Sequence, residues 1–195
     1  HAATDSAATW SPDGTRLAFQ SKRNGNDDVF IMNADGGGLV QLTSNRDYDG
    51  EPAWSPDGKQ IAFVSRRSAG DPSYFLYVMN ADGSGQRLLA ALPYSSRPAW
   101  SYAGQRILFD AFDPAAGQRL YLYDFGDGST RATGHFPVWS FRYVDVLSGA
   151  WGIADSATVT LVVYAYVNGQ WAIQAMELWS INVTQNWVAS RTDPG

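Results

Sequence analysis

Trp10-Ser11-Pro12-Asp13-Gly14 returns letter for letter as Trp54-Ser55-Pro56-Asp57-Gly58. Two residues after each glycine comes a short apolar run, Leu17-Ala18-Phe19 in the first copy and Ile61-Ala62-Phe63 in the second. A second β-rich run and the turn Asn33-Ala34-Asp35-Gly36 follow, matched by Asn80-Ala81-Asp82-Gly83. A third unit starts at Pro98-Ala99-Trp100-Ser101 and a fourth at Pro137-Val138-Trp139-Ser140, so the tryptophans stand 44, 46 and 39 residues apart. A period near forty residues carrying several short strands is the pattern of propeller blades.

Each unit divides into four strands, a to d. Strand a is the short Trp-containing piece, Ala8–Ser11, Pro52–Ser55, Pro98–Ser101 and Pro137–Ser140. Pro-Asp-Gly then turns the chain, proline presetting φ and glycine accepting a positive one. Strand b is Arg16–Gln20, Gln60–Ser65 and Arg106–Asp110, with Leu17/Phe19, Ile61/Phe63 and Ile107/Phe109 on one face. Strand c is Val29–Met32, Phe75–Met79 and Leu120–Tyr123, and strand d ends at Leu42, Leu89 and about Ala132. The reading is an all-β propeller of four-stranded antiparallel blades, three clear and a fourth degenerate, plus a long C-terminal β-hairpin.

These motifs resemble the TolB-type propeller repeat: Trp-Ser-Pro-Asp-Gly-x-x-Ile/Leu-Ala-Phe, then Val/Ile-Met-Asn-Ala-Asp-Gly, then Gln41-Leu42-Thr43. The resemblance covers about residues 7–140. The third unit has Ser101-Tyr102-Ala103-Gly104 and Tyr123-Asp124-Phe125-Gly126-Asp127-Gly128 in place of the two turns, and the fourth loses the pattern after Ser140. What the resemblance implies is a propeller of six or more blades, protein–protein interaction, and a periplasmic or extracellular setting. Related propellers also serve as lid domains of serine peptidases, so an accessory domain of a larger enzyme is the alternative.

Three or four units do not close such a ring, and an open sheet face exposes apolar surface. The chain is then a fragment of a larger propeller, one of two or more chains that complete a ring, or a unit whose C-terminal segment seals the open face. Association with another chain, as a homo- or hetero-oligomer or structural subunit, is the reading favoured here.

From about residue 141 the vocabulary changes. Thr158–Val167 and Gln170–Ile181 are long strand candidates around Asn168-Gly169, a strong hairpin turn signal. Residues 1–140 are read as the propeller units, and residues 141–195 as a divergent last blade or a separate interaction hairpin. Trp171, Trp179 and Trp187 would anchor it, since aromatic side chains dominate interface energetics.

Composition narrows function. The 195 residues are 45% hydrophobic, with eight tryptophans, a formal charge of −5 and no cysteine. That excludes disorder, thiolate metal sites, disulfides and a cysteine nucleophile, and it argues against nucleic acid as partner. No apolar run is long enough for a membrane helix. The two histidines, His1 and His135, have no Gly-x-Ser-x-Gly elbow beside them, so no catalytic residue is assigned. Asn24-Gly25-Asn26-Asp27-Asp28 is oxygen-rich but lacks the spacing of a calcium loop and reads as a turn. No metal or cofactor is expected.

Strand direction supplies a face. The b–c and d–a loops emerge together, opposite the Pro-Asp-Gly turns, and carry Lys22, Arg23, Arg46, Arg66, Arg67 and Arg97 with Tyr48, Tyr94 and His135. Asp27, Asp47, Asp49, Glu51 and Asp71 lie among them, so the face is either an ion-paired rim or a binding surface for a protein or peptide.

Overall fold

The computed structural model describes residues 4–67, 73–101, 103–115 and 117–132, and beyond them the backbone of four strands between 143 and 191. The first sheet contains Asp5–Trp10 (β1), Arg16–Ser21 (β2), Asp28–Asn33 (β3) and Val40–Gln41 (β4). The second contains Asp49–Trp54 (β5), Gln60–Ser65 (β6), Phe75–Asn80 (β7) and Arg87–Ala90 (β8). Ser96–Trp100 (β9), Arg106–Asp113 (β10), Gly117–Asp124 (β11) and Thr130–Ala132 (β12) make the third. Each is an antiparallel meander in chain order. Tyr143–Trp151 (β13), Ser156–Val167 (β14), Gln170–Asn182 (β15) and Ala189–Arg191 (β16) form a fourth four-stranded antiparallel sheet, with Val167 opposite Gln170. The segment 137–140, expected as the fourth strand a, lies outside the described residues, as does the turn at 168–169.

Alternation along the middle strands builds the cores. Ile61 and Phe63 of β6, with Phe75, Tyr77 and Met79 of β7, pack on Ala18, Val29, Ile31 and Leu42 of the first sheet. The intervening Ala62, Leu76 and Val78 pack the other way, on Trp100, Ile107, Phe109 and Tyr121 of the third. The second sheet is thus buried on both faces, and adjacent sheets meet through their first strands, β1 beside β5 and β5 beside β9.

The turns follow the repeat. Gly14 N–H bonds Ser11 O, Gly58 N–H bonds Ser55 O and Gly104 N–H bonds Ser101 O, each at 2.9 Å. The three glycines share φ of 68–70°, which explains why the third turn survives without its Pro-Asp: glycine alone supplies the left-handed corner. Asp13 and Asp57 hold the intact turns by accepting Ser11 and Ser55 Oγ–H, and those bonds keep both carboxyls below the usual range.

The first strand of each unit starts earlier than its Pro-x-Trp signature implies, at Asp5, Asp49 and Ser96. The cause is a β-bulge. Pairing skips from Ser6 to Thr9, from Gly50 to Ala53, and between Ser96 and Ala99, so two residues face one on the neighbouring strand. Pro52 and Pro98 fall inside these bulges, where a missing N–H breaks no ladder bond. Ala7 and Glu51, the first bulged residues of two units, have φ of 50° and 53°.

Candidate functional site

The bulges and the loops beside them build one surface. Asn26 Nδ2 donates to Asn45 O and Asp47 O, both at 2.9 Å, and Asp49 N–H donates to Asp27 O at 2.8 Å, lacing a b–c loop to the next d–a loop. Ser95 N–H bonds Tyr74 O at 2.9 Å, which repeats the device between the second and third units, while Arg66 N–H bonds Tyr48 O at 2.9 Å within the second. The oxygen-rich run 24–28 is accordingly a structural turn: its amides bond carbonyls, and Asn24 Nδ2 donates to Gln41 Oε1 at 2.6 Å. Among the described residues no group of three His, Cys, Asp or Glu side chains could hold a metal ion.

Between the second and third sheets these loops enclose a cavity of about 290 Å³ lined by Tyr48, Glu51, Tyr74, Tyr94, Ser96 and Asp110, with Val64 and Ser95. Tyr48 and Tyr74 meet edge to face at 4.9 Å, and Tyr48 Oη donates to Gln20 Oε1 at 2.9 Å. Burial, then the Glu51 carboxylate, pushes the Tyr48 hydroxyl well above its usual range, so it stays a neutral donor. Asp110 is buried and accepts Ser96 Oγ–H at 2.8 Å. Tyr94 is 51% exposed, has φ of 55° and packs edge to face on Phe112.

Three non-glycine residues of the described chain have positive φ, and two of them, Glu51 and Tyr94, line this cavity. Holding such residues left-handed costs about 1–3 kcal/mol each, and strain of this kind gathers at binding sites. The lining carries hydroxyls that both donate and accept, carboxylates that accept, and rings that offer apolar faces.

Of the residues singled out in the sequence, Tyr48 and Tyr94 come together in this cavity. Several basic residues are instead held by neighbours. Lys22 pairs with Asp27 at 3.4 Å and Arg66 with Asp47 at 3.2 Å, on the rim. Arg23 and Arg67 occupy equivalent places in two units. Each donates Nε–H to a strand-end serine, Ser21 or Ser65, and lies over two aromatic rings, Phe19 and Phe30 or Phe63 and Tyr77. Each closes on an acid of strand a, Asp5 at 3.2 Å or Asp49 at 2.8 Å.

Arg46 is exposed on the d–a loop. The Arg97, Trp171 and Trp179 side chains, and all of His135 and Trp187, lie outside the described residues. Sequence reasoning missed Tyr74, Ser96 and Asp110, and named Glu51 only among the acids of this face. Glu51 was legible as the residue before the bulge proline, and Tyr74 as a b–c loop aromatic. Asp110 hid in an apolar strand.

A family profile gives the kinship, and solved structures share the fold. The profile of the TolB beta propeller domain matches residues 2–131. TolB from Acinetobacter baumannii superposes with a TM-score of 0.70 at 16% identity, over 97% of this chain and 43% of its own. A structure described as a TolB of Agrobacterium tumefaciens gives 0.71 at 18% identity, over 99% of this chain and 63% of its own. A puromycin-hydrolyzing peptidase of Mycobacterium tuberculosis gives 0.64 at 14% identity, over 96% of this chain and 28% of its own. The chain therefore spans less than two thirds of the length of the TolB structures it matches.

Proposed function

The chain belongs to the TolB beta propeller domain family, and on that premise we propose that it is a non-enzymatic module binding a peptide or protein loop on its b–c and d–a face. The observation that carries this is the cavity between the second and third sheets, whose wall combines three tyrosines with strained Glu51 and Tyr94. Tyrosines with few rotamers make contact area at low entropic cost, and hydroxyl and carboxylate groups match the N–H groups of an incoming chain. Lys22, Arg46, Arg66, Arg97 and His135 form the surrounding rim in this reading and tune encounter more than affinity, with Arg23 and Arg67 held in the scaffold behind them. The setting is periplasmic or extracellular, as the kinship suggests.

The test uses peptides selected for binding from a random library displayed on phage. Tyr94→Ala and the double reversal Arg66→Glu/Arg97→Glu are expected to weaken them at least tenfold, with Arg131→Glu, outside this face, as the control. Selected peptides that bind all three proteins equally would overturn the proposal.

A second reading, a structural unit that completes its propeller with another chain, is favoured by one observation: Trp10 is 56% exposed where its repeat partners Trp54 and Trp100 are 7% and 9%. The fourth sheet is then either a divergent last blade or the interaction element of such an assembly, with Trp171, Trp179 and Trp187 as anchors. A concentration-independent mass of 21.3 kDa would count against this second reading and remove completion by a second copy.

A further inference from the structure

The junctions between the first and second sheets and between the second and third are built from equivalent residues but are filled differently. Ala81 and Phe125 hold the same place: each follows the third strand of its unit and donates its N–H to the residue before the second strand, Lys59 O at 2.8 Å and Gln105 O at 3.0 Å. Phe125 lies flat on Trp100, with ring centroids 5.2 Å apart and planes at 7°. Ala81 has no ring to offer, and Trp54 is capped instead by the Arg16 guanidinium, 4.7 Å from its centroid. The two indoles differ as well. Trp100 Nε1–H donates to Ala53 O at 3.0 Å, whereas Trp54 Nε1–H is buried without an acceptor.

Beside Ala81 and the capping Arg16 lies an open notch of about 500 Å³ between the first and second sheets. It is separate from the tyrosine cavity, and Ile31, Val40, Leu42 and Ala81 give it an apolar wall. Arg16 and Lys59 put positive charge on its rim, and Asn80 and Asp82 add polar groups. Val40 remains 47% exposed there, and the Lys59 side chain is 81% exposed, its ammonium 4.0 Å from Asp57. Asp82 Oδ1 accepts both Ser84 N–H and Ser84 Oγ–H, which aligns its carboxylate at the edge.

We propose that this notch is a binding site for the C-terminal residue of a peptide. Its apolar side chain would lie against Ile31, Val40, Leu42 and Ala81, beside the Arg16 that caps Trp54. Its terminal carboxylate would meet Arg16 and Lys59, a charge-assisted contact, and its amide N–H would donate to the Asp82 carboxylate. Charge complementarity favours this occupant over a hydrocarbon chain with a carboxylate head, which would leave Asp82 facing methylene groups.

N-acetyl-L-phenylalanine, N-acetyl-L-phenylalaninamide and 3-phenylpropionate serve as probes, titrated while the Trp54 indole N–H is followed by heteronuclear NMR. The free acid is expected to bind at least fivefold more tightly than the amide, and also more tightly than 3-phenylpropionate. Ala81→Phe and Lys59→Gln should each weaken the free acid at least threefold without moving the urea midpoint of the chain, while Arg131→Gln should leave it unchanged. Equal affinity for acid and amide, or full binding by a folded Ala81→Phe chain, would overturn the site. Equal affinity for 3-phenylpropionate would overturn the peptide assignment.

Discussion

Trp10 and Trp54 occupy the same place in consecutive repeats and live in different solvents. Trp54 sits in the core between the first two sheets, capped by Arg16, while Trp10 at the same step of β1 is mostly exposed. All of β1 is exposed or half-exposed, whereas β5 alternates between buried and half-buried positions. One pentapeptide therefore encodes a strand and a turn but not a burial. Burial comes from the preceding unit, which Trp54 has and which Trp10 lacks among the described residues. In a repeat fold the interface between units carries much of the stability, so identical words have different energetic weight at different places in the array.

The largest expected effect breaks that comparison directly. Trp54→Ala removes a ring packed between two sheets and should cost about 3–5 kcal/mol. Trp10→Ala removes a residue already more than half exposed and should change stability far less, by about 0.5 kcal/mol. Urea unfolding of both variants measures the gap. Similar losses would mean that something covers Trp10 in solution, and a concentration-dependent midpoint would identify it as another copy.

The paired ion bridges sharpen the same point. Asp49 is wholly buried, and its Oδ2 accepts from Arg67. Asp5, the partner of Arg23, has a side chain 41% exposed. Removing the cation from a buried carboxylate leaves an uncompensated charge, so Arg67→Ala should destabilise by about 3 kcal/mol. Arg23→Ala should cost about 1 kcal/mol, an ion pair whose acid is partly exposed plus some ring contact. Thermal midpoints of the two variants, compared at low and high salt, check the ranking. Added salt should narrow the Arg23 deficit more, because exposed pairs are screened and buried ones are not.

The blades were legible because their grammar is local. Alternating Leu17/Phe19 and Ile61/Phe63, and glycines at 14, 58 and 104 that take positive φ, mark strands and turns within a few residues. The candidate site was legible only by halves. Tyr48 and Tyr94 stood out as loop aromatics on one face, but their convergence with Asp110 depends on how one sheet packs against the next. Arg23 and Arg67 misdirect the eye for the opposite reason. On a loop face they read as ligand-binding cations, yet the serine two residues before each one and the acid of strand a tie them into the scaffold. The bulge was hidden because Pro-x-Trp reads as a strand start, and the pairing continues beyond it only by skipping residues.

The smallest effect tests the buried acids at the first junction. Asp28 accepts Thr43 Oγ–H at 3.1 Å and Gln41 Nε2–H at 3.0 Å, yet burial, reinforced by the Asp49 carboxylate, raises its pKa to about 6. A folded pKa above the unfolded one means that the folded chain binds the proton more tightly. Between pH 4 and 6 the folded state therefore holds more of this proton, and stability falls as pH rises through that window. The cost is complete above pH 6. Asp28→Asn resembles the protonated form and removes the cost. It should raise stability by on the order of 1–2 kcal/mol at pH 8, and the advantage should vanish by pH 4. The acids of the exposed turns run the other way: hydrogen bonds hold Asp13, Asp57 and Asp82 below the usual range, so their contribution is present at neutral pH and lost in acid. Measuring the difference between variant and parent cancels them. A difference that stays flat from pH 4 to pH 8 would mean that Asp28 is ionised throughout, with the Arg67 cation outweighing burial at this junction.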